Sequence, residues 1–137
     1  MKKVLAIFLT LIMVFGATTA FAADITVKVN DEVVSFDREP YAEGEEVYIP
    51  FRFIAEKLGA TVAWDKDTKT VFAALDNSVT TLQIGNKNIF TADGTFSTET
   101  APFIVIDRTF VTEDVIEAAF GAEVAFDALT STVTITK

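Results

Sequence analysis

Among its 137 residues the chain has no cysteine, no histidine and a single tryptophan, Trp64. Without Cys or His, the ligand sets typical of zinc, copper and haem centres are missing. A serine triad and a Cys–His pair are excluded for the same reason. Basic charge is the next scarcity: 11 Lys and Arg stand against 20 Asp and Glu, a net charge of −9. That balance argues against nucleic acid and anionic membrane surfaces, which reward clustered Lys and Arg. No cofactor is expected.

The one long apolar run lies at the N-terminus. Met1-Lys2-Lys3 is a short positive segment, Val4 to Ala17 is almost wholly apolar, and Ala20-x-Ala22 fits the signal-peptidase rule. The run is about 14 residues, short of the roughly 20 a spanning helix needs. Residues 1–22 are therefore expected to be a cleaved signal peptide, with the exported chain starting at Ala23. Cleavage takes the charge from −9 to −11 by removing Lys2 and Lys3, and leaves 115 of the 137 residues. That is enough for one domain, with no membrane contact after cleavage. A domain without disulfides must rely on its apolar core, and ten of the thirteen Phe lie in the mature part.

Sliding the sequence against itself by 62 residues exposes a repeat. Pro40 falls on Pro102, Ile54 on Ile116, Gly59-Ala60 on Gly121-Ala122 and Val62-Ala63 on Val124-Ala125. Asp65 falls on Asp127, Thr68 on Thr130 and Thr70-Val71 on Thr132-Val133, with no gap. Conservative matches such as Tyr41 on Phe103, Tyr48 on Phe110 and Trp64 on Phe126 fill the spaces. The two copies span about 25–75 and 87–137.

Each copy reads as strand, helix and hairpin. In the first, Val47-Tyr48-Ile49 is a short strand running into Pro50, which suits the first turn of a helix. Phe51, Ile54, Ala55 and Leu58 form an apolar helical stripe, Arg52 and Glu56 can pair on its surface, and Gly59 is placed for a left-handed cap. Thr61 to Trp64 and Thr70 to Ala73 are hairpin strands around an Asp65-Lys66-Asp67-Thr68 turn. In the second copy Thr112 is the expected N-cap, Val115, Ile116, Ala119 and Phe120 the stripe, and Gly121 the cap. Glu123 to Phe126 and Thr132 to Thr136 form its hairpin, with Asp127 at the turn. Further strands are expected at Ile25 to Val29, Val33 to Phe36, Val79 to Ile84 and Ile89 to Thr91, with an Asp93-Gly94 turn before Phe96. Neither copy buries its own helix, so the expected fold is one α+β domain: antiparallel strands with two short helices from two tandem repeats.

The string Tyr48-Ile49-Pro50-Phe51-Arg52-Phe53-Ile54-Ala55-Glu56-Lys57-Leu58-Gly59-Ala60 carries a resemblance, continued by Val62, Trp64-Asp65 and Thr68-Lys69-Thr70-Val71. It resembles the copper amine oxidase N-terminal-like domain, whose pattern is a strand, Val-Pro-x-Arg, Ala-Glu-x-Leu-Gly-Ala on a helix, and a hairpin opening with Trp-Asp. The resemblance covers about Ile25 to Thr136. The second copy departs, with Thr112 in place of Pro, Asp114 of Arg, Ala118 of Glu and Phe126 of Trp. If those polar positions serve a ligand, only the first copy retains it. The resemblance implies a secreted, stalk-type, non-catalytic module of the kind found beside wall-acting domains in bacteria, and not an oxidase.

The residues agree with that reading. Carboxylate pairs for glycoside hydrolysis could in principle come from Glu43, Glu45, Glu46 or Glu56, but acidic residues are plentiful and Glu39 to Glu46 reads first as a solvated loop. Asp65-Lys66-Asp67 opens like a calcium loop, but Thr70 and Asp76 stand where Gly and Glu are required, so a side-chain-stabilised turn is expected. Trp64 is expected in the core or at its edge, because it aligns with Phe126 in a strand; the alternative is a sugar-stacking platform. Tyr41, Tyr48 and Trp64 are the candidate binding residues. Two functions follow: an extracellular or cell-wall binding or structural accessory, or a small secreted regulator of an extracellular enzyme. An aromatic groove favours the first and a large exposed apolar patch the second.

Overall fold

A computed structural model describes residues 24–137. The expected signal peptide and its cleavage site lie outside these described residues. In chain order the described residues form β1 (Thr26–Val29), β2 (Glu32–Val33), β3 (Tyr41–Glu43) and β4 (Glu46–Pro50), then α1 (Phe51–Lys57). The strands β5 (Thr61–Asp65), β6 (Thr70–Leu75), β7 (Ser78–Gln83), β8 (Asn88–Thr91) and β9 (Gly94–Ser97) follow. Then come β10 (Phe103–Val105), β11 (Arg108–Thr112), α2 (Glu113–Phe120), β12 (Glu123–Asp127) and β13 (Thr132–Thr136).

These strands make three sheets. A five-stranded sheet runs β9-β8-β7-β6-β5, a central one β10-β11-β4-β3, and a third β12-β13-β1-β2. The central seam is β4 against β11, with Ile49 opposite Val111, Tyr48 opposite Thr112 and Pro50 opposite Phe110. The seam pair Ile49 and Val111 is buried, as is Val47 on β4, and all three join Phe51, Ile54, Val115, Ile116, Val133 and Ile135 in one continuous core. The rings of Phe51 and Phe120 stack 5.6 Å apart, tying the first residue of α1 to the last of α2.

Three expectations need correction. Among the described residues the fold is α+β with two helices and mostly antiparallel pairing, but β13 runs parallel to β1. No turn joins these two strands, so hairpin geometry does not dictate their direction. The segment Glu39 to Glu46 is not a plain loop, because Tyr41–Glu43 pairs with Glu46–Pro50 around Gly44. All three residues of this edge strand are exposed, so it has no apolar alternation to read. Thr112 holds the N-cap position without capping a backbone N–H; its hydroxyl instead donates to Asp114, which also accepts from Thr98 at 2.9 Å.

The end of α1 follows from one glycine. Gly59 takes φ +100, its N–H reaches the Glu56 carbonyl at 3.0 Å, and Ala60 N–H reaches the Ala55 carbonyl at 2.9 Å. This is the paired-bond left-handed cap, in which a Cβ is strained. A Cβ on Gly59 would meet only Leu75 Cδ1, at 3.7 Å, so the cost of a side chain is conformational rather than a clash. Gly59→Val is expected to lose about 1–2 kcal/mol in urea unfolding. An unchanged midpoint would place the helix end elsewhere.

Candidate functional site

Trp64 decides where the site is. It lies on β5, the edge strand of the five-stranded sheet, across from Val71 on β6. Of the two placements expected for it, the core or its edge, Trp64 is not in the core: the residue is 42% exposed, whereas its counterpart Phe126 packs against the core. The difference is a cleft of about 340 Å³ between the sheet edge, the start of α1 and the β10–β11 hairpin. Val62, Val71, Phe51 and Ile104 give its apolar sides, and Arg52, Asp107, Arg108 and Thr109 its polar ones.

The polar groups are held in place. Arg108 Nε donates to Asp37 Oδ1 at 3.1 Å, a second guanidinium nitrogen reaches Oδ2, and the guanidinium carbon sits 5.9 Å from the Phe53 ring centroid. The Arg108 guanidinium holds the Asp37 carboxyl below the usual carboxylate range, chiefly through that hydrogen bond. Arg52 Nε donates to Glu56 Oε2 at 3.0 Å, with both side chains about half exposed. As an exposed pair one turn apart, it contributes a few tenths of a kcal/mol, roughly. Its larger effect is to orient Arg52 at the cleft rim.

The other candidates lie apart from this cleft. Tyr41 and Tyr48 face each other across β3 and β4 with rings 5.2 Å apart, and Phe103 and Phe110 complete a four-ring cluster on the central sheet. Burial, followed by Glu43 and Tyr48, raises the Tyr41 phenol. Pro50 both ends β4 and caps α1, where its missing N–H is no loss. Gly121 is the left-handed cap of α2, at φ +67. Asp65 accepts from Asp67 N–H and Asp127 from Leu129 N–H, each at 2.9 Å, so both acids brace turns.

Sequence reading brought Arg52 and Trp64 to attention but missed Asp107, Arg108 and Ile104. Their segment, Phe103 to Arg108, forms a short hairpin with no periodic pattern. One signal was available: the chain has only three arginines, and Arg108 is one of them.

An acidic recess also exists, lined by Glu46, Glu99, Glu113, Asp114 and Glu117. Burial, then Glu117, Glu46 and Asp114, raises the Glu113 carboxyl. Among the described residues, no group of three or more His, Cys, Asp or Glu is placed to hold a metal ion.

Three small sheets, two short helices and one aromatic, arginine-rimmed cleft define a small α+β module with a built recess. The family model for the copper amine oxidase N-terminal domain matches residues 28–135, and the chain belongs to that family. No significant match was found among curated proteins. The family name carries copper, but this chain does not supply the donors: it has neither His nor Cys.

Proposed function

We propose that this protein is an exported, non-catalytic binding module that holds a neutral sugar unit of an extracellular glycan, including that of a cell wall, against Trp64. The observation that carries this reading is the exposed Trp64 ring in a cleft rimmed by Arg52, Asp107, Arg108 and Thr109. A sugar offers an apolar C–H face for an aromatic ring and hydroxyls that need both donors and acceptors. The cleft has each. Its volume of about 340 Å³ falls within the range of small-molecule sites. Export is supported by the pattern of Met1 to Ala22. The non-catalytic reading is supported by the carboxylates: Asp107 is alone in the lining, and glycoside hydrolysis needs a pair.

A duplicated strand–helix–hairpin unit is part of this reading, and three features of the fold support it. Residues 49 and 111 are 62 apart in sequence and sit opposite each other, so β4 and β11 pair about a local twofold axis. Lys69 and Ser131, also equivalent, both take φ +53. Thr70 Oγ1 donates to the Thr68 carbonyl and Thr132 Oγ1 to the Thr130 carbonyl, each at 3.2 Å. The second copy has no Trp or Arg at the equivalent places, which supports a single site.

Trp64 is the one tryptophan in the chain, so its fluorescence reads the cleft directly. Titration with tetramers of β-1,4-linked glucose and N-acetylglucosamine is expected to change the emission, and binding should persist as salt rises. Trp64→Ala should abolish binding, measured calorimetrically, while the protein stays folded. No binding by the native protein across the panel would overturn the reading.

The second reading, a regulator of a secreted enzyme, draws on the outer face of the five-stranded sheet. Phe72, Val79 and Phe90 are exposed there, with Phe72, Thr81 and Phe90 aligned across three strands. In that case enzyme binding would survive Trp64→Ala and be lost on Phe72→Ser.

A further inference from the structure

The cleft does not end at Arg108. Asp107 and Arg108 also form one side of a second depression, completed by Asp37, Arg38 and Ile106. The two depressions thus share a ridge, and all three arginines of the chain line one or the other.

The turn that builds this ridge is unusual. Ile106 and Asp107 join Val105 to Arg108, and both have positive φ, +42 and +66. A two-residue turn of this hand favours Asn, Asp or Gly, because a Cβ is crowded in the left-handed region. The other such turns obey the rule, with Asn30–Asp31 at φ +49 and +71, and Asp76–Asn77 at φ +51 and +66. At the equivalent place in the first copy stands Gly44, at φ +65. Among the described residues, only here does a β-branched residue take that conformation, for which it is least suited. Nor does burial offset the strain, since Ile106 is 62% exposed. A strained and exposed apolar side chain beside a binding cleft points to a role outside folding.

We propose that Ile106 and Arg38 form a second sugar subsite, so that the ligand is an extended neutral glycan of two or more units crossing the Asp107–Arg108 ridge. This rests on the sugar reading of the Trp64 cleft. One unit stacks on Trp64, and the next lays its apolar face on Ile106. Arg108, fixed by Asp37 and by its place near Phe53, donates to hydroxyls from either side. Arg38 forms no salt bridge among the described residues and is available to the second unit. The charges favour a neutral chain. Arg38, Arg52 and Arg108 are balanced locally by Asp37, Glu56 and Asp107, in a protein that is strongly acidic elsewhere. A polyanion would gain little here and would be repelled by the rest of the surface.

The test is a length series. The native protein, Ile106→Gly and Trp64→Ala are each titrated calorimetrically with the monomer, dimer and tetramer of the best-binding sugar from the panel. The native protein is expected to bind the tetramer at least about tenfold more tightly than the monomer. Ile106→Gly should keep or raise the thermal midpoint, because glycine suits the turn, and should bring tetramer affinity close to that of the monomer. Trp64→Ala should lose all lengths. If the tetramer binds no better than the monomer, or if Ile106→Gly retains full tetramer affinity, the second subsite is overturned while the Trp64 reading stands. If Ile106→Gly lowers the midpoint, the strain argument falls and the subsite with it. If no length binds the native protein, both readings fall together.

Discussion

A fragment ending at Leu75 is expected to lack cooperative folding altogether. It retains β1 to β6 and α1 with the pairings among them, but it loses β7, β11 and β13, the strands of the rest of the chain that pair with β6, β4 and β1. Strand β4 pairs with β11 on one side, and β1 pairs with β13. Ile49, at the centre of that seam, would lose Val111 opposite it and face water there. Phe51 would lose the Phe120 ring. Ordering each residue costs about 1–2 kcal/mol of backbone entropy, and half a core does not offset that. Circular dichroism during heating should give a broad, non-cooperative change for the fragment and a sharp one for residues 23–137. A sharp transition from the fragment would mean the copies are independent domains.

Phe51→Ala should carry the largest single-residue cost. The side chain is fully buried at the junction of α1 and α2, stacked on Phe120 and packed beneath the Trp64 cleft. Truncating a buried Phe costs about 3–5 kcal/mol, from lost transfer energy and the cavity left behind. Against a total of about 5–15 kcal/mol for such a domain, that is a large share. With a urea slope of roughly 1–2 kcal/mol/M, the midpoint should fall by about 1.5–5 M. Phe53 is the internal control. It is two residues away and half-buried, touching Phe36 edge-on at 5.6 Å, so Phe53→Ala should cost much less, roughly 1 kcal/mol. Equal losses at the two positions would contradict the burial described here.

Much of this molecule could be read one residue at a time. The stripe Phe51, Ile54 and Ala55 became the buried face of α1, and Val115, Ile116 and Phe120 that of α2. The hairpin strands fell where alternation and turn residues placed them, at Thr61–Asp65 with Thr70–Leu75 and at Glu123–Asp127 with Thr132–Thr136. The edge strands Tyr41–Glu43 and Phe103–Val105 were not readable, being three residues long and largely uncovered. In the site, Arg52 and Trp64 stood out because they belong to the family pattern. Arg108 did not, because its partner Asp37 is 71 residues away in the chain.

By itself the sequence determined the two helices, the glycines that end them, and the turns at Asp65 and Asp127. These depend on side-chain periodicity and on which residues tolerate a positive φ, and both act within a few positions of the chain. Tertiary structure alone decided that Ile49 meets Val111, that the first strand lies parallel to the last, and that Trp64 stays open while Phe126 is covered. Those outcomes depend on which distant surfaces exclude water together. Trp64 and Arg108 share a cleft only because the sheet edge and the β10–β11 hairpin stand on either side of α1, leaving between them a gap that neither segment encodes locally.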